Sequence, residues 1–432
     1  MNFFKFIISG ILFFSLQSYC TAQSYEQLFL KAEEKLKAGE CKEAIKLFTE
    51  CLLLKPDSYL AYYERGLSYQ SCGNTNDALK DFLKSINIAP DYSPPYYYIS
   101  VIHRLAGKTN EALQYANKSI KLDNSVKEYY INRGNIYFDM RKYDDAVGDF
   151  SSALKLDSNY LKAYENRGYV YRILKKYDES LSDFEKAVLL NPDNYMYYNE
   201  KGILFFHKRN YKKAIEAFNK SIELNPAFAE SYNNRGYCKF LLKEKNAETD
   251  FLKAIELNPK YAEAYSNVGM MKFFDEDYSE ALELLDKAIE LDSDLSMAYS
   301  TRGIINLALG KNEDALSDFM TVIKHLPNFE DAYSNVGYVY LELNDYNKAL
   351  EYFEKCLNLN YQWTNALLGA ALSFYNQKKN ENAKEYFERA KIIVPELGNP
   401  GEGIQKLEED FRYFTPKVRG ELIKMINFLI RS

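Results

Sequence analysis

The side chains best suited to metal or nucleophilic chemistry are three histidines, His103, His207 and His325, and six cysteines. The histidines lie far apart, and no Cys/His spacing fits a zinc site. A glycine-rich phosphate loop and a Ser/His/Asp set are both missing from the sequence. Carboxylates are abundant, but their spacing is that of solvated helix faces. These residues point to a chain that is not an enzyme, with no catalytic residues, no metal and no cofactor.

Hydrogen-bonding chemistry, in contrast, recurs at fixed intervals. Asn132, Asn166, Asn234, Asn267 and Asn335 each stand two residues before a glycine. An amide offers both donor and acceptor, so a row of them can pair with any peptide backbone. The same amides could equally cap or solvate their own helices, and the sequence leaves both readings open. Tyr169, Tyr237 and Tyr338 follow the glycine directly and pair contact area with a polar tip. Phe138, Phe206, Phe240 and Phe273 stand four residues beyond it, where packing between helices is the expected use.

A charge pattern shares this register. Arginine precedes the glycine at Arg65, Arg133, Arg167, Arg235 and Arg302. In the same five units an aspartate follows, at Asp81, Asp149, Asp183, Asp250 and Asp318. We expect a structural ion pair within each of these units, since arginine suits a bidentate contact at a helix–helix junction.

The elements that position these side chains follow from the period. Gly66, Gly134, Gly168, Gly202, Gly236, Gly269, Gly303 and Gly337 are 34 residues or a multiple apart, with one step of 33. A small residue stands twelve positions on, as at Ala78, Ala146 and Ala214. Phe82, Phe150, Phe218, Phe319 and Phe353 come four later, and proline often comes eight after that. Within a unit, apolar residues fall three and four apart, as in 163–173, which predicts two amphipathic helices. Gly39, Gly73, Gly107 and Gly310 share the slot where the first helix ends, and a left-handed cap is the natural use.

This pattern resembles the tetratricopeptide repeat, with tyrosine in the family's tryptophan slot in nine units, Tyr62 and Tyr130 among them. The resemblance implies an all-α fold: a TPR solenoid, a right-handed superhelix of helix-turn-helix repeats. Eleven units tile 25–58, 59–92, 93–126, 127–160, 161–194, 195–228, 229–261, 262–295, 296–329, 330–363 and 364–397. Residues 398–432 follow as C-terminal capping helices, with Leu422, Ile423, Ile426, Leu429 and Ile430 as an apolar stripe; a membrane-surface or partner helix is the rival reading. By the same resemblance, first helices line a concave groove. The asparagine row is similar to the ladder of the O-linked N-acetylglucosamine transferase superhelix, which grips extended peptides.

Residues 1–22 read as a signal peptide: Lys5, an apolar run over 6–16, then Cys20-Thr21-Ala22. Lipidation would use Cys20, but the bulky Tyr19 argues against it. Five cysteines then remain in 23–432, too sparse for a disulfide framework. Cys41 and Cys72 fall near helix ends of adjacent units, where one bond or two thiols both fit. The formal charge of −6, with scattered lysines, gives no reason to seek nucleic acid or an anionic membrane.

The resulting expectation is an exported protein of the periplasm, cell envelope or extracellular space. It is a non-catalytic protein–protein interaction scaffold whose groove binds extended segments. The partners are other proteins or peptides, with no small-molecule substrate, and membranes are met only through lipidation or a partner. The alternatives are an assembly subunit docked by its convex face or C-terminal helix, and a substrate-recognition arm for a separate modifying enzyme.

Overall fold

The computed structural model describes residues 24–410 and 415–431; residues 1–22, expected from the sequence to be a signal peptide, lie outside them. Every regular element among the described residues is a helix. The chain forms two bodies, divided between Lys208 and Arg209.

In the first body, helices α1 (24–37) and α2 (Cys41–Leu54) are followed by α3 (Tyr59–Ser71) and α4 (Thr75–Ile88). Next come α5 (Pro94–Leu105), α6 (Thr109–Leu122), α7 (Lys127–Asp139), α8 (Tyr143–Leu156), α9 (Leu161–Ile173), α10 (Tyr177–Leu190) and α11 (Tyr195–His207). The second body opens with α12 (Tyr211–Leu224), α13 (Ala229–Leu241), α14 (Ala247–Leu257), α15 (Ala262–Phe274), α16 (Tyr278–Leu291) and α17 (Ser296–Ala308). It continues with α18 (Asn312–His325), α19 (Glu330–Glu342), α20 (Tyr346–Leu359), α21 (Thr364–Asn376) and α22 (Asn380–Ile393). A 3-10 turn (Pro395–Gly398), α23 (Pro400–Asp410) and α24 (Pro416–Arg431) complete it.

Within each body an odd-numbered helix pairs with the even-numbered one after it, and also touches the next odd-numbered helix at several steps. Within each body the odd-numbered helices, up to α21, are the first helices of their hairpins. The glycine slot makes the hairpin tight. A Cβ on Gly134 would lie 2.5 Å from the Phe150 ring, and one on Gly66 2.6 Å from Phe82. Those phenylalanines are fully buried, so the close approach belongs to the core.

The tyrosine slot has a use that tryptophan could not share in the same way. Tyr96, Tyr130, Tyr164, Tyr265 and Tyr333 each donate a hydroxyl hydrogen to the carbonyl six residues earlier, at 2.9–3.3 Å. The ring packs in the hairpin while its tip ties the incoming loop.

The slot that ends each first helix is left-handed throughout. Glycine fills it at Gly39, Gly73, Gly107 and Gly310; Arg141, Lys175, Arg209, Lys243, Glu276, Asn344 and Lys378 fill it with φ of 56–62°. A side chain there costs roughly 1–2 kcal/mol per residue, so packing of the hairpin imposes the turn. One second helix is short: α14 has 11 residues where α12 and α16 have 14. It belongs to the unit of 33.

Cys41, at the start of α2, and Cys72, at the end of α3, are joined by a disulfide. Cys51, Cys238 and Cys356 are buried thiols.

The tail does not merely cover the end of the array. Helix α24 packs against α21 and α19, the first helices of the last two hairpins, as well as α22. Val418, Leu422, Met425, Ile426 and Leu429 are buried there, in one core with Leu341, Leu368 and Leu372. Ile423 and Ile430 pack at its edge. Lys417 donates from Nζ to the Glu342 carbonyl (2.8 Å) and to Asn344 Oδ1 (2.9 Å), and Asn376 Nδ2 donates to Glu421 (3.1 Å).

The candidate binding face on the first helices

The arginines face away from any ligand role. In all five units Nε and Nη2 donate to the two oxygens of one aspartate, at 2.6–3.0 Å. The aspartates are Asp81, Asp149, Asp183, Asp250 and Asp318, and all five are buried. The remaining Nη1 reaches back to the preceding second helix: to Thr49, Asn117, Ser151, Asn219 or Asp286. Each guanidinium also lies 5.3–5.9 Å from the ring three residues before it, at Tyr62, Tyr130, Tyr164, Tyr232 or Tyr299. Each arginine thus fastens its own hairpin and the one before it. The backward partner always stands 16 residues earlier, a signal present in the sequence but not read from it. Burial pushes the Asp149 and Asp183 carboxyls up while the arginines pull them back, so the pairs chiefly set helix register.

The asparagines divide by environment. Asn132 is buried and donates to Ser100 Oγ at 2.8 Å; Ser100 in turn donates to the Ala112 carbonyl. Asn166 donates to Asn135 Oδ1 at 2.9 Å, and Asn267 to Asn233 Oδ1 at 2.8 Å. In each case the amide reaches the first helix of the preceding hairpin. Asn166, Asn234, Asn267 and Asn335 are partly exposed. An amide has two N–H groups and a two-lone-pair oxygen, so the bond that fixes Asn166 or Asn267 uses only one of its positions. The supporting residues Ser100, Asn135 and Asn233 were not singled out by the sequence. The cue for them is a backward step of 31–34 residues.

The tyrosines after the glycine also differ. Tyr169 is half-buried, edge-on to Phe184 at 5.1 Å, with Arg172 over its ring and the Arg172–Glu200 ion pair alongside. Burial, reinforced by Glu200 and Glu165, pushes its hydroxyl up to about 12. Tyr237 is half-buried and stacks near Phe240 at 6.3 Å. Tyr338 corrects the expectation of a groove residue: it is fully buried, and its hydroxyl donates to the Asn365 carbonyl at 2.6 Å. It lies in the core that α24 completes, and no ligand can reach it. Of the phenylalanines, Phe273 is buried, Phe206 and Phe240 are half-buried, and Phe138 is exposed.

One carboxyl on the first helices is unusual. Burial, with Glu33 adding to it and Lys37 opposing it, pushes Glu64 on α3 up to about 7. The histidines remain apart, His103 stacked on Tyr115 and His207 on Tyr177. Among the described residues no group of His, Cys, Asp and Glu is arranged to hold a metal ion, and no helix is long and apolar enough to cross a membrane.

Glycine-sealed helix hairpins, each first helix touching the next within a body, define a helical repeat protein. The chain belongs to the tetratricopeptide repeat family. Tetratricopeptide repeat sequence models match residues 59–92, 128–160, 161–194, 195–228, 229–261, 262–295, 330–360 and 365–395. Among solved structures, the APC/C hetero-tetramer Cut9-Hcn1 shares the fold, with a TM-score of 0.50 and 13% identity over 86% of this chain and 94% of that one. YrrB, described as a TPR protein with an unusual peptide-binding site, is 28% identical over 42% of this chain and 95% of its own (TM-score 0.34). MamA from Desulfovibrio magneticus RS-1 is 26% identical over 38% of this chain and 94% of its own (TM-score 0.37). No curated protein matches the chain.

Proposed function

We propose that this protein is a non-catalytic scaffold of the cell envelope that holds extended polypeptide segments against the first helices of its hairpins. The observation that carries this reading is that each body has partly exposed amides on its first helices, Asn166 in the first and Asn267 in the second each held in orientation by an asparagine of the preceding hairpin. Amides fixed in this way can pair with a peptide backbone at little entropic cost. Tyr169 and Tyr237 stand beside them as aromatic contacts. The apolar run over residues 6–16 and the Cys41–Cys72 disulfide both support placement outside the cytoplasm, where such bonds persist.

The test is capture of partners from an envelope extract by residues 23–432, in parallel with a variant carrying alanine at Asn166, Asn234, Asn267 and Asn335. Asn132 is left intact because it is buried. Circular dichroism checks that the variant folds. A partner caught by the parent and lost by the variant supports peptide holding on these helices. Equal capture by both proteins would refute it.

A further inference from the structure

The repeat supplies its own reference for what a slot should hold. Three residues after the glycine slot the units carry tyrosine, phenylalanine, histidine or lysine, with one exception, Asn306. In the units of Arg65, Arg133 and Arg167 this side chain is Tyr69, Tyr137 or Tyr171, and its ring lies 5.7–5.9 Å from the guanidinium. Each of these arginines therefore has two rings, one from three residues before it and one from four after. In the Arg235 unit the slot holds Lys239, which reaches Asp250 instead.

Arg302 keeps its first ring, Tyr299 at 5.4 Å, but Asn306 stands where the second should be. The amide is too short to replace a ring. It donates from Nδ2 to Asp318 at 3.3 Å, and a cavity of about 320 Å³ remains between α16, α17 and α18. Asn306 and Asp318 are its buried lining, and Lys311, Asp314 and Ser317 are exposed at its rim. Small-molecule pockets run from roughly 300 to 1,000 Å³, so this one suits a single ring. Nε, Nη1 and Nη2 of Arg302 already donate to Asp318 and Asp286, which leaves the flat face of the guanidinium to offer. The same carboxylates, with Asp314, repel an anion.

We propose that this cavity is a binding site for a phenol, which seats its ring against Arg302 in the place that Tyr69, Tyr137 and Tyr171 fill from within their own units. The phenol hydroxyl then has Asp314 and Ser317 at the rim as acceptors. Two carboxylates hold the guanidinium in place, so stacking on it costs little reordering. The site is separate from the amide row and needs no extended segment. A free small molecule and a tyrosine side chain of a polypeptide present the same ring, and the test tells them apart.

The probes are p-cresol, which is the tyrosine side chain alone, and the capped peptide acetyl-Gly-Tyr-Gly-amide, each titrated against the full chain by saturation-transfer NMR. The proposal expects saturable binding of p-cresol to the parent. Asn306→Tyr supplies the missing ring from the chain itself and should weaken that binding at least about tenfold. Ser317→Trp, at the exposed rim, should block the cavity from the neighbouring helix, and it decides the matter if circular dichroism shows Asn306→Tyr unfolded. 4-Methylcyclohexanol, of similar shape but without a π face, should bind at least about threefold more weakly than p-cresol. Tighter binding of p-cresol than of the peptide identifies a free phenol as the ligand; the reverse order identifies a tyrosine of a polypeptide. Absence of saturable binding by both probes would overturn the proposal. So would binding that survives the blocking substitutions, or methylcyclohexanol binding as tightly as p-cresol.

Discussion

Arg133 and Asp149 meet in a two-pronged contact, Nε to Oδ2 at 2.8 Å and Nη2 to Oδ1 at 2.7 Å, with only 6% of the aspartate side chain exposed. Removing one partner strands the other. Asp149→Ala should cost about 3 kcal/mol locally, and the apolar pair Arg133→Met with Asp149→Leu clearly less. Repeat arrays do not unfold in one step, so the readout is hydrogen exchange in α7 and α8.

The Glu64 carboxyl gives a pH prediction. Its folded value, near 7, lies above the unfolded one. The folded protein therefore holds the proton more tightly, and the stability it confers is fully present below the ordinary carboxylate range. That contribution is lost as the pH rises through about 7. Carbon-13 NMR should show a Glu64 midpoint near 7, and Glu64→Gln should flatten the fall in melting temperature between pH 5 and pH 8. An ordinary carboxylate midpoint would refute this.

Reduction of the Cys41–Cys72 bond should loosen the first hairpins by about 2–4 kcal/mol, leaving the second body unchanged. Exchange measured with and without a phosphine reductant tests this. A thiol count on denatured residues 23–432 should also give three before reduction, from Cys51, Cys238 and Cys356.

The left-handed slot offers a stabilising change. Lys175→Gly and Arg141→Gly each relieve a side chain held at positive φ. Each should raise local stability by up to about 1 kcal/mol, the remainder being offset by glycine's freedom in the unfolded chain. Thermal melts of the single and double variants check the sign.

The repeat and its ion pairs were legible because they recur: Gly134 against Phe150, or Arg133 with Asp149, is the same local geometry spelled many times. Non-recurring contacts were not legible. Nothing in the period says where α24 folds, so it could not reveal that Tyr338 is sealed while Tyr237, in the same slot, stays half-exposed. The Cys41–Cys72 bond was likewise undecidable, since helix-end positions suit a thiol as well as a bridge. The asparagines were half-legible. Their slot was found, but the support of Asn166 by Asn135 depends on how successive hairpins meet.

The unit that is one residue short has a further consequence. Asp250 follows Arg235 by 15 residues, whereas the other four pairs are 16 apart, yet both oxygens are still engaged, and Lys239 adds a contact at 2.9 Å. The missing residue is absorbed before α14 begins, and α15 resumes the ordinary pattern with Gly269 against Leu285. A length error in such a chain is quarantined: it is repaired within one hairpin and never handed to the next. Genetic deletions at these turns should therefore be survivable where the same loss inside a helix would not be.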